Sequence, residues 1–403
     1  MTAGERKHLI IAMAAGAGLA IAFGVRQAQP LFISAINSHT AVGYATISLA
    51  FAVGQLMWGV AQPFAGAAGD RWGARQVMIV GALCLVIGTA LTPLATNAFA
   101  LIFLIGVVAA GGAGAIGPSL IISASSRWIP EAKRSMAHGI INAGGSFGQF
   151  TLVPIAQLLI GIAGWQPALV ILGLSGLAVI PIVLFLTRAA PVVAPAVTGE
   201  ASSLRQALRQ ASTDRSFLLL NAGFFTCGFH VAFIATHLPG MVLFCQLPPT
   251  VSAWSLSIIG LFNILGSLWV GKAIQARRMK MALAWIYLAR AAMIVAFIFA
   301  PKTPLAFFVF SAGIGFTYLS TVPPTIGLVA KLLGARYLAT LFGVVMLSHQ
   351  VGGFLGAWLG GKAFEATGTY DWMWWADAAL CLFAAAIHLP IREARPRVVP
   401  AVA

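Results

Sequence analysis

The stretch GAAGDRWGAR, at residues 66–75, places one acid and two arginines between two long apolar runs. The run before it covers residues 41–65, and the run after it covers residues 77–97. Each run is long enough to cross a bilayer, because a spanning helix needs about 20 mostly apolar residues. Charges are costly inside hydrocarbon, so the stretch is predicted to be a surface loop that joins two spanning helices.

The composition of the whole chain agrees with this prediction. Its 403 residues are 60% hydrophobic and only 8% charged, with a mean hydropathy of +0.94, which is too much apolar surface for a soluble protein. We therefore expect an all-α polytopic membrane protein with twelve transmembrane helices. The predicted helices lie approximately at residues 8–33, 41–65, 77–97, 98–124, 136–162, 166–187, 216–244, 251–272, 281–300, 304–333, 338–364 and 369–392.

Lys and Arg residues lie almost entirely on one side of these helices. Of the 24, Arg26 and Arg290 fall inside predicted helices, Lys302 and Lys362 fall on the far side, and all others share the side of the N-terminus. Such a bias marks the cytoplasmic side. It predicts a multi-pass protein of a bacterial inner membrane with both termini in the cytoplasm. The net charge of +15 is thereby explained by the excess of Lys and Arg on the cytoplasmic side of the membrane. Nucleic-acid binding is therefore not expected.

The longest polar segment, residues 188–215, divides the twelve predicted helices six and six. The expected units are an N-terminal bundle at residues 1–187, this segment as a cytoplasmic linker, and a C-terminal bundle at residues 216–403. A short amphipathic helix is expected in the second part of the linker.

An offset of 204 residues relates the two expected bundles. The pairs that it produces are Gly24 with Gly228, Arg26 with His230, Gly139 with Gly343, and Gly148 with Gly352. One register thus links predicted helix 1 to helix 7 and helix 5 to helix 11. Two halves of like topology are typical of a transporter built from parallel repeats.

The opening stretch has the spacing G-x-x-x-D-R-x-G-x-R and resembles the signature loop of the major facilitator superfamily. The matching residues are Gly66, Asp70, Arg71, Gly73 and Arg75. The resemblance extends to the length, the spans and the central linker, and it implies the major facilitator fold, two pseudo-symmetric six-helix bundles. It also implies that the loop gates the transporter by holding cytoplasmic helix ends together. The second-half counterpart, GKAIQARRMK at residues 271–280, has Gln275 in place of the acid, so no gating role is carried over to it.

Two further segments resemble the bacterial relatives of monocarboxylate transporters and oxalate/formate antiporters. They are RWIPEAKRSMAHGIINAGGSFGQ at residues 127–149 and FGVVMLSHQVGGFLGAWLGG at residues 342–361. This resemblance implies a carboxylate substrate. The chain departs from the pattern in helix 8, where Asn263 and Ser267 stand near the usual acid and arginine, and in helix 11, where His349 stands near the usual lysine.

Arg26 is the main candidate for substrate binding. It lies inside predicted helix 1, where a charge costs several kcal/mol unless it faces a partner or a watery cavity. In the superfamily this helix lines the central cavity, whereas the one acid well inside a predicted helix, Asp377, is on peripheral helix 12. We therefore expect Arg26 to bind an anionic substrate. The alternative is a structural anchor bonded to Gln27, Gln29 or backbone carbonyls.

Arg290, on peripheral helix 9, is expected to form a structural pair with Asp377, and a place at the edge of the substrate site stays open for it. His230, His237 and His349 lie in the second half, where an imidazole can bind a substrate oxygen or carry a proton. His230, which the repeat places opposite Arg26, and His349 are expected to help Arg26 bind the substrate. No carboxylate or Cys cluster is expected to complete a metal site around them. Further polar candidates are Asn142, Gln149, Tyr318, Gln55 and Ser119.

No nucleophile arrangement or Walker sequence is present, so an enzyme and an ATP-driven pump are both disfavoured and no cofactor is expected. The sequence therefore predicts a monomeric secondary active transporter. It is expected to move a small organic anion, a mono- or dicarboxylate, by alternating access. Coupling is to protons or to a second anion, as symport or antiport. The first alternative is a proton-driven exporter of drugs or other lipophilic compounds, which usually needs a carboxylate in the first-half cavity. The second is a membrane receptor that keeps the fold without transport.

Overall fold

The computed structural model describes residues 3–188, 204–334 and 337–393, which form helices and short connections without any strand. We number the long helical segments α1–α12. The first half consists of α1 (Ala3–Ala28 and Ile33–Thr40, joined by a 3-10 turn at Gln29–Phe32), α2 (Tyr44–Trp72), α3 (Ala74–Ala90), α4 (Ala98–Leu101, Ile102–Ala109, Ala110–Ala115 and Pro118–Ser126), α5 (Glu131–Ala163) and α6 (Trp165–Ser175 and Val179–Leu186).

The second half follows a linker helix, Leu204–Thr213, which is the short helix expected at the end of the polar segment. Residues 189–203 of the predicted linker lie outside the described residues. The remaining segments are α7 (Arg215–Phe244), α8 (Pro249–Ala276), α9 (Met279–Phe299), α10 (Pro304–Thr317 and Val322–Leu333), α11 (Leu338–Thr367) and α12 (Asp371–His388).

Eleven segments of the described chain are long and apolar enough to cross a membrane, and they correspond to the first eleven predicted helices. The twelfth predicted helix is present as α12, but it is only 18 residues long and contains Asp371, Asp377 and His388. These polar side chains lower its mean hydropathy, so composition alone does not mark it as a span. α12 packs against α7 and α9, and Asp377 is buried within that contact.

Glycine residues allow the closest helix pair of each half. A Cβ added to Gly148 of α5 would lie 1.9 Å from the carbonyl oxygen of Ala20 in α1. A Cβ added to Gly352 of α11 would lie 2.0 Å from the carbonyl oxygen of Phe225 in α7. Gly148 and Gly352 are a pair of the 204-residue offset, and each makes a close backbone contact with the first helix of its half.

α4 and α10 are both interrupted near their middle. The last piece of α4 begins at Pro118, after a break at residues 116–117. The last piece of α10 begins at Val322, which is followed by Pro323 and Pro324. Proline cannot donate a backbone hydrogen bond and clashes with the preceding turn, which explains both interruptions. Pro118 and Val322 are again 204 residues apart. Interrupted helices at corresponding positions of two repeats leave backbone groups free near the midplane, where transporters bind their substrates.

Within the described chain, the most extensive contacts between the halves are those of α2 with α11 and of α5 with α8. The second contact is polar. Asn263 Nδ2 of α8 donates to Ser146 Oγ of α5 at 2.8 Å, and Ser257 Oγ donates to the carbonyl oxygen of Phe150 at 2.6 Å. Since hydrogen bonds between helices exchange partners at little net cost inside a membrane protein, this contact can be remade during a motion of the halves.

The glycine contacts give a first prediction. Gly148→Ala and Gly352→Ala should each lower the free energy of unfolding by about 1–3 kcal/mol, because the added methyl group forces two backbones apart. Matched controls on the same helices are Gly139→Ala and Gly343→Ala, where nothing lies within 4 Å of the added Cβ. Thermal unfolding of the purified protein in detergent measures the four effects. Equal midpoints for all four variants would contradict the close backbone contact.

Candidate substrate-binding site

A small cavity lies between α1, α2, α4 and α7. Its walls are apolar on α4, at Ile105 and Ala110, and carry polar groups on the other three helices. The polar lining consists of Arg26, Gln27, Gln29, Gln55 and Thr236. The site therefore combines one cation with neutral amide and hydroxyl groups.

Arg26 is half-buried and reaches neutral partners on its own helix and on α2. Its Nη2 donates to Gln55 Oε1 at 2.5 Å, and its Nη1 donates to Gln27 Oε1 at 3.5 Å. The guanidinium carbon lies 5.2 Å from the centre of the Trp58 ring. Among the side chains that the structure describes, no carboxylate forms an ion pair with Arg26. The charge thus borders the cavity and is hydrogen-bonded without being neutralised. The bond to Gln27 is one that the structural-anchor alternative also predicts.

Gln149 connects this site to the second half of the molecule. Gln27 Nε2 donates to Gln149 Oε1 at 3.3 Å, and Gln149 Nε2 donates to the carbonyl oxygen of Leu256 in α8 at 2.9 Å. Tyr318, at the interruption of α10, is close enough to Arg26 for an electrostatic interaction and donates its hydroxyl to the carbonyl oxygen of Val231 at 3.0 Å. Gln149 and Tyr318 therefore both lie near Arg26 in this structure.

Asn142 is not brought to the cavity. It lies on the same face of α5 as Ser146 and Gln149, but it is exposed, whereas the other two are buried against α8. The contact between α5 and α8 therefore ends between Ser146 and Asn142. Asn142 lies nearer than they do to the end of the bundle at which α1 begins.

His230 does not lie opposite Arg26, and this corrects the expectation from the repeat. Its Nδ1 lies 2.7 Å from Oδ2 of Asp377 in α12, and both side chains are fully buried. The predicted pair of Asp377 with Arg290 is therefore wrong. The 204-residue offset equates backbone positions, but the side chain of His230 meets α12 while that of Arg26 meets α2.

Arg290 finds its partners at the interruption of α10. Its Nη2 donates to the carbonyl oxygens of Thr317 and Tyr318, the latter at 2.6 Å, and its Nη1 donates to Sγ of Cys227 at 3.5 Å. The carboxyl end of a helix carries a partial negative charge from its unpaired carbonyl groups. Arg290 thus neutralises a broken helix end and does not line the cavity.

His349 also lies away from Arg26. It is buried where α11 packs against α7, with its ring centre 4.9 Å from that of Phe224. His237 of α7 is a core histidine whose Nε2 lies 2.6 Å from the carbonyl oxygen of Ala357. Neither ring belongs to the cavity lining.

One group of possible metal ligands was not anticipated from the sequence. Ligand atoms of His230, Asp377 and Cys381 all lie within 4.8 Å of one another and are buried. Two ligand atoms on a tetrahedral zinc ion stand about 3.4 Å apart, because each bond is about 2.1 Å. The 2.7 Å contact between His230 and Asp377 is shorter than that and has the length of a hydrogen bond. We therefore describe these residues as a hydrogen-bonded pair with a neighbouring thiol.

The residues of the predicted gate surround the turn between α2 and α3. Gly66 and Arg71 belong to the end of α2, and Arg75 belongs to the first turn of α3. Gly73 forms the turn with φ of +93°, which explains the glycine, since side chains rarely adopt this conformation. Arg71 lies over the ring of Trp72 at 5.5 Å. Asp70 lies in α2, but its side chain is outside the described part, so the gating role stays a prediction.

Two residues near the site escaped the sequence analysis. Gln350 of α11 is buried next to Gly59 of α2, and neither polar atom of its amide makes a hydrogen bond with the described residues. Asn263 of α8 was noted only as a departure from related transporters. Besides Ser146, it binds the N–H of Leu319 in the interruption of α10 at 3.0 Å. The sequence feature that could have identified both residues is an amide side chain inside an otherwise apolar predicted helix.

The two intramembrane arginines should respond differently to substitution. Arg290→Met should lower the free energy of unfolding by about 3 kcal/mol, because a buried carbonyl left without a donor costs about 1–3 kcal/mol. Arg26→Met is the matched control and should change the thermal midpoint much less, since its guanidinium borders a cavity. Thermal unfolding in detergent compares the two. A larger loss for Arg26→Met would contradict the assigned roles.

Comparison with known proteins agrees with this architecture. The sequence profile of the Major Facilitator Superfamily matches residues 12–357. An uncharacterized MFS-type transporter of Bacillus subtilis is 24% identical over 334 residues, which cover 80% of each chain. Monocarboxylate transporter 13 of Bos taurus is 23% identical over 357 residues, which cover 87% of this chain and 81% of its own.

A solved structure shows the same fold. The crystal structure of a bacterial homolog to the human lysosomal transporter Spinster, in an inward-facing and unoccupied conformation, has a TM-score of 0.74 to this chain at 17% identity. The similarity covers 94% of this chain and 96% of that one. Together with the profile match over most of the sequence, this fold assigns the chain to a family of transporters, not enzymes: it belongs to the Major Facilitator Superfamily.

Proposed function

We propose that the protein transports a small organic anion, and that Arg26 binds it. The observation that carries this proposal is the charge of Arg26, which faces a cavity between helices and has only neutral partners among the described side chains. A guanidinium in such a place costs several kcal/mol unless it is solvated or paired. An anion entering the cavity supplies the missing countercharge.

The chemistry of the lining favours a carboxylate. The guanidinium presents parallel N–H donors that match the two oxygens of a carboxylate, and its present acceptor, Gln55 Oε1, can be exchanged for the substrate. The amide nitrogens of Gln27 and Gln29 donate to Gln149 and Thr89 in this state, and each carries a second N–H that a substrate can use. Because Arg26 is the one cation in the lining, a single carboxylate is balanced and a second one is not. A monocarboxylate is therefore the preferred substrate, in agreement with the name of the bovine relative.

Alternating access fits the contacts between the halves. The hydrogen bonds from Gln27 to Gln149 and from Gln149 to Leu256 join α1, α5 and α8 directly beside Arg26. Far from the termini, the rings of Tyr44 in α2 and Phe364 in α11 meet at 5.4 Å. Toward the termini, the face of α5 becomes exposed at Asn142. We infer that this state is closed at the far end and open toward the termini.

The orientation in the membrane is part of the same proposal. The excess of Lys and Arg at the end that carries the N-terminus supports a cytoplasmic position for both termini in a bacterial inner membrane. The state described above is then open to the cytoplasm. The drug-exporter alternative is less favoured, because the described lining of the cavity contains no carboxylate to carry a coupled proton.

The test is ligand-dependent stability of the purified protein. Acetate, L-lactate, succinate and sulfoacetate are compared with a neutral sugar and a lipophilic cation. An anion that binds the native state should stabilise it by about 2.7 kcal/mol at a hundredfold excess over its Kd. Arg26→Met should abolish this shift and lower flux into proteoliposomes at least about tenfold, which corresponds to about 1.4 kcal/mol.

The control is Arg209→Ala, which removes an exposed cation from the linker helix and should leave the anion effect intact. Stabilisation by the sugar or the lipophilic cation alone would overturn the proposal and favour an exporter. An unchanged anion shift in Arg26→Met would remove Arg26 from the binding site.

A further inference from the structure

Two cations and a tryptophan lie together at the end of the first half that carries the N-terminus. Trp128, in the turn between α4 and α5, donates its ring N–H to the carbonyl oxygen of Leu186 at the end of α6 at 2.8 Å, which fixes the ring. Nζ of Lys7 in α1 lies 5.4 Å from the ring centre, and the guanidinium carbon of Arg188, just beyond α6, lies 5.8 Å from it. The indole therefore holds two exposed cations beside one another at the ends of two helices.

The described part of the protein does not neutralise these two charges. Neither Lys7 nor Arg188 forms an ion pair with a described carboxylate, and the acid nearest to Lys7 along the chain, Glu5, bonds Lys133 at 2.9 Å. Two cations near one ring repel each other, and salt screens this repulsion only in part over such short distances. An anion that contacts both removes the repulsion and gains charge-assisted hydrogen bonds.

Exposed apolar side chains lead from the two cations into the membrane. On α6 they recur every three or four residues on the face that ends at Arg188, namely at Leu177, Pro181 and Leu184. On α1 an exposed apolar face begins one turn after Lys7, at Ile10 and Met13. The two helices contact each other, and a Cβ added to Gly18 of α1 would lie 3.4 Å from Ile182 of α6. A lipid lying against both helices thus has its headgroup beside the two cations.

The corresponding place in the second half is closed by apolar side chains. The 204-residue offset pairs Lys7 with Ala211, Trp128 with Leu332, and Arg188 with Arg392. Ala211 and Ile391, the neighbour of Arg392, belong to one buried apolar cluster, and Leu332 packs against it. Apolar residues therefore satisfy the packing at this place in the fold. The cations and the indole of the first half are not needed for packing, which leaves binding of a ligand as their purpose.

We propose that Lys7, Trp128 and Arg188 bind the headgroup of an anionic phospholipid in the leaflet at this end of the bundle. The phosphodiester accepts hydrogen bonds from both cations, and the acyl chains lie along the exposed faces of α1 and α6. Trp128 has the depth that tryptophan prefers, at the border between hydrocarbon and water. A zwitterionic headgroup carries its own cation, which Lys7 and Arg188 repel, so a net negative headgroup is preferred.

This lipid site is separate from the cavity and does not depend on the proposed substrate. Arg26 is 19 residues further along α1 than Lys7, which corresponds to about 28 Å of helix. Arg26→Met should therefore leave lipid binding unchanged. Failure of the proposed anion transport and failure of the lipid site are thus distinguishable, and loss of lipid binding in Arg26→Met would contradict two separate sites.

The test is lipid binding by the purified protein in detergent, measured by native mass spectrometry. Phosphatidylglycerol is compared with phosphatidylcholine of the same acyl chains and with glycerol 3-phosphate. We expect phosphatidylglycerol to bind at least about tenfold more tightly than phosphatidylcholine, because two basic residues attract its headgroup. Lys7→Gln combined with Arg188→Gln should remove this preference. The matched control is Arg205→Gln combined with Arg209→Gln, which removes the same charge from exposed positions of the linker helix and should keep the preference.

The outcomes that overturn the proposal are specific. A preference that survives the loss of Lys7 and Arg188 overturns it, and so does an equal loss in the linker-helix control, since both mean a general attraction of charge. Glycerol 3-phosphate that binds as tightly as phosphatidylglycerol overturns the lipid assignment in favour of a free phosphate. Lys7→Gln alone changes one exposed side chain and should give part of the loss, and an unchanged thermal midpoint in detergent shows that it is folded.

Discussion

A guanidinium without a carboxylate partner is the feature on which this molecule depends. Arg26 stands inside a helix that must cross a bilayer, and the side chains described around it are amides, an indole and apolar groups. The surrounding structure keeps this charge tolerable through hydrogen bonds to Gln55 and Gln27 and through the aromatic face of Trp58. These partners satisfy the donors without removing the charge, so the cavity keeps a positive potential that an anion can use.

Arg26, Arg290 and Asp377, charged side chains of the described residues that lie inside the bundle, are each stabilised in a different way. Arg26 borders a cavity, Arg290 is bound by the open end of a helix, and Asp377 is held by a histidine. None of the three relies on another of the three, although a salt bridge between Arg290 and Asp377 was the simplest expectation. The interruption of α10 is the reason, because it supplies carbonyl oxygens in place of a carboxylate.

The sequence predicted the backbone of this protein better than its side-chain contacts. Hydropathy located the helices. The 204-residue offset paired Gly148 with Gly352, because both stand where two helix backbones come close and a side chain would not fit. The same offset failed for His230, since the helix that a side chain meets depends on rotation and on neighbours outside the repeat. Gln149 and Tyr318 were found near Arg26 because their helices face the same cavity. Gln350 was missed because the sequence around it does not show that its amide lies where α11 contacts α2.

The dimensions of α5 add a mechanical consequence. This helix has 33 residues, is fixed to α1 by backbone contact at Gly148, and carries Gln149 near its middle. Its length is about 50 Å, so a tilt of about 10° at the binding site moves each end by roughly 4 Å. A displacement of less than one ångström at the amide of Gln149 is thereby amplified at the membrane surfaces. In the proposed transport cycle α5 is therefore a lever, with Gln149 near its fulcrum and the two membrane surfaces at its ends.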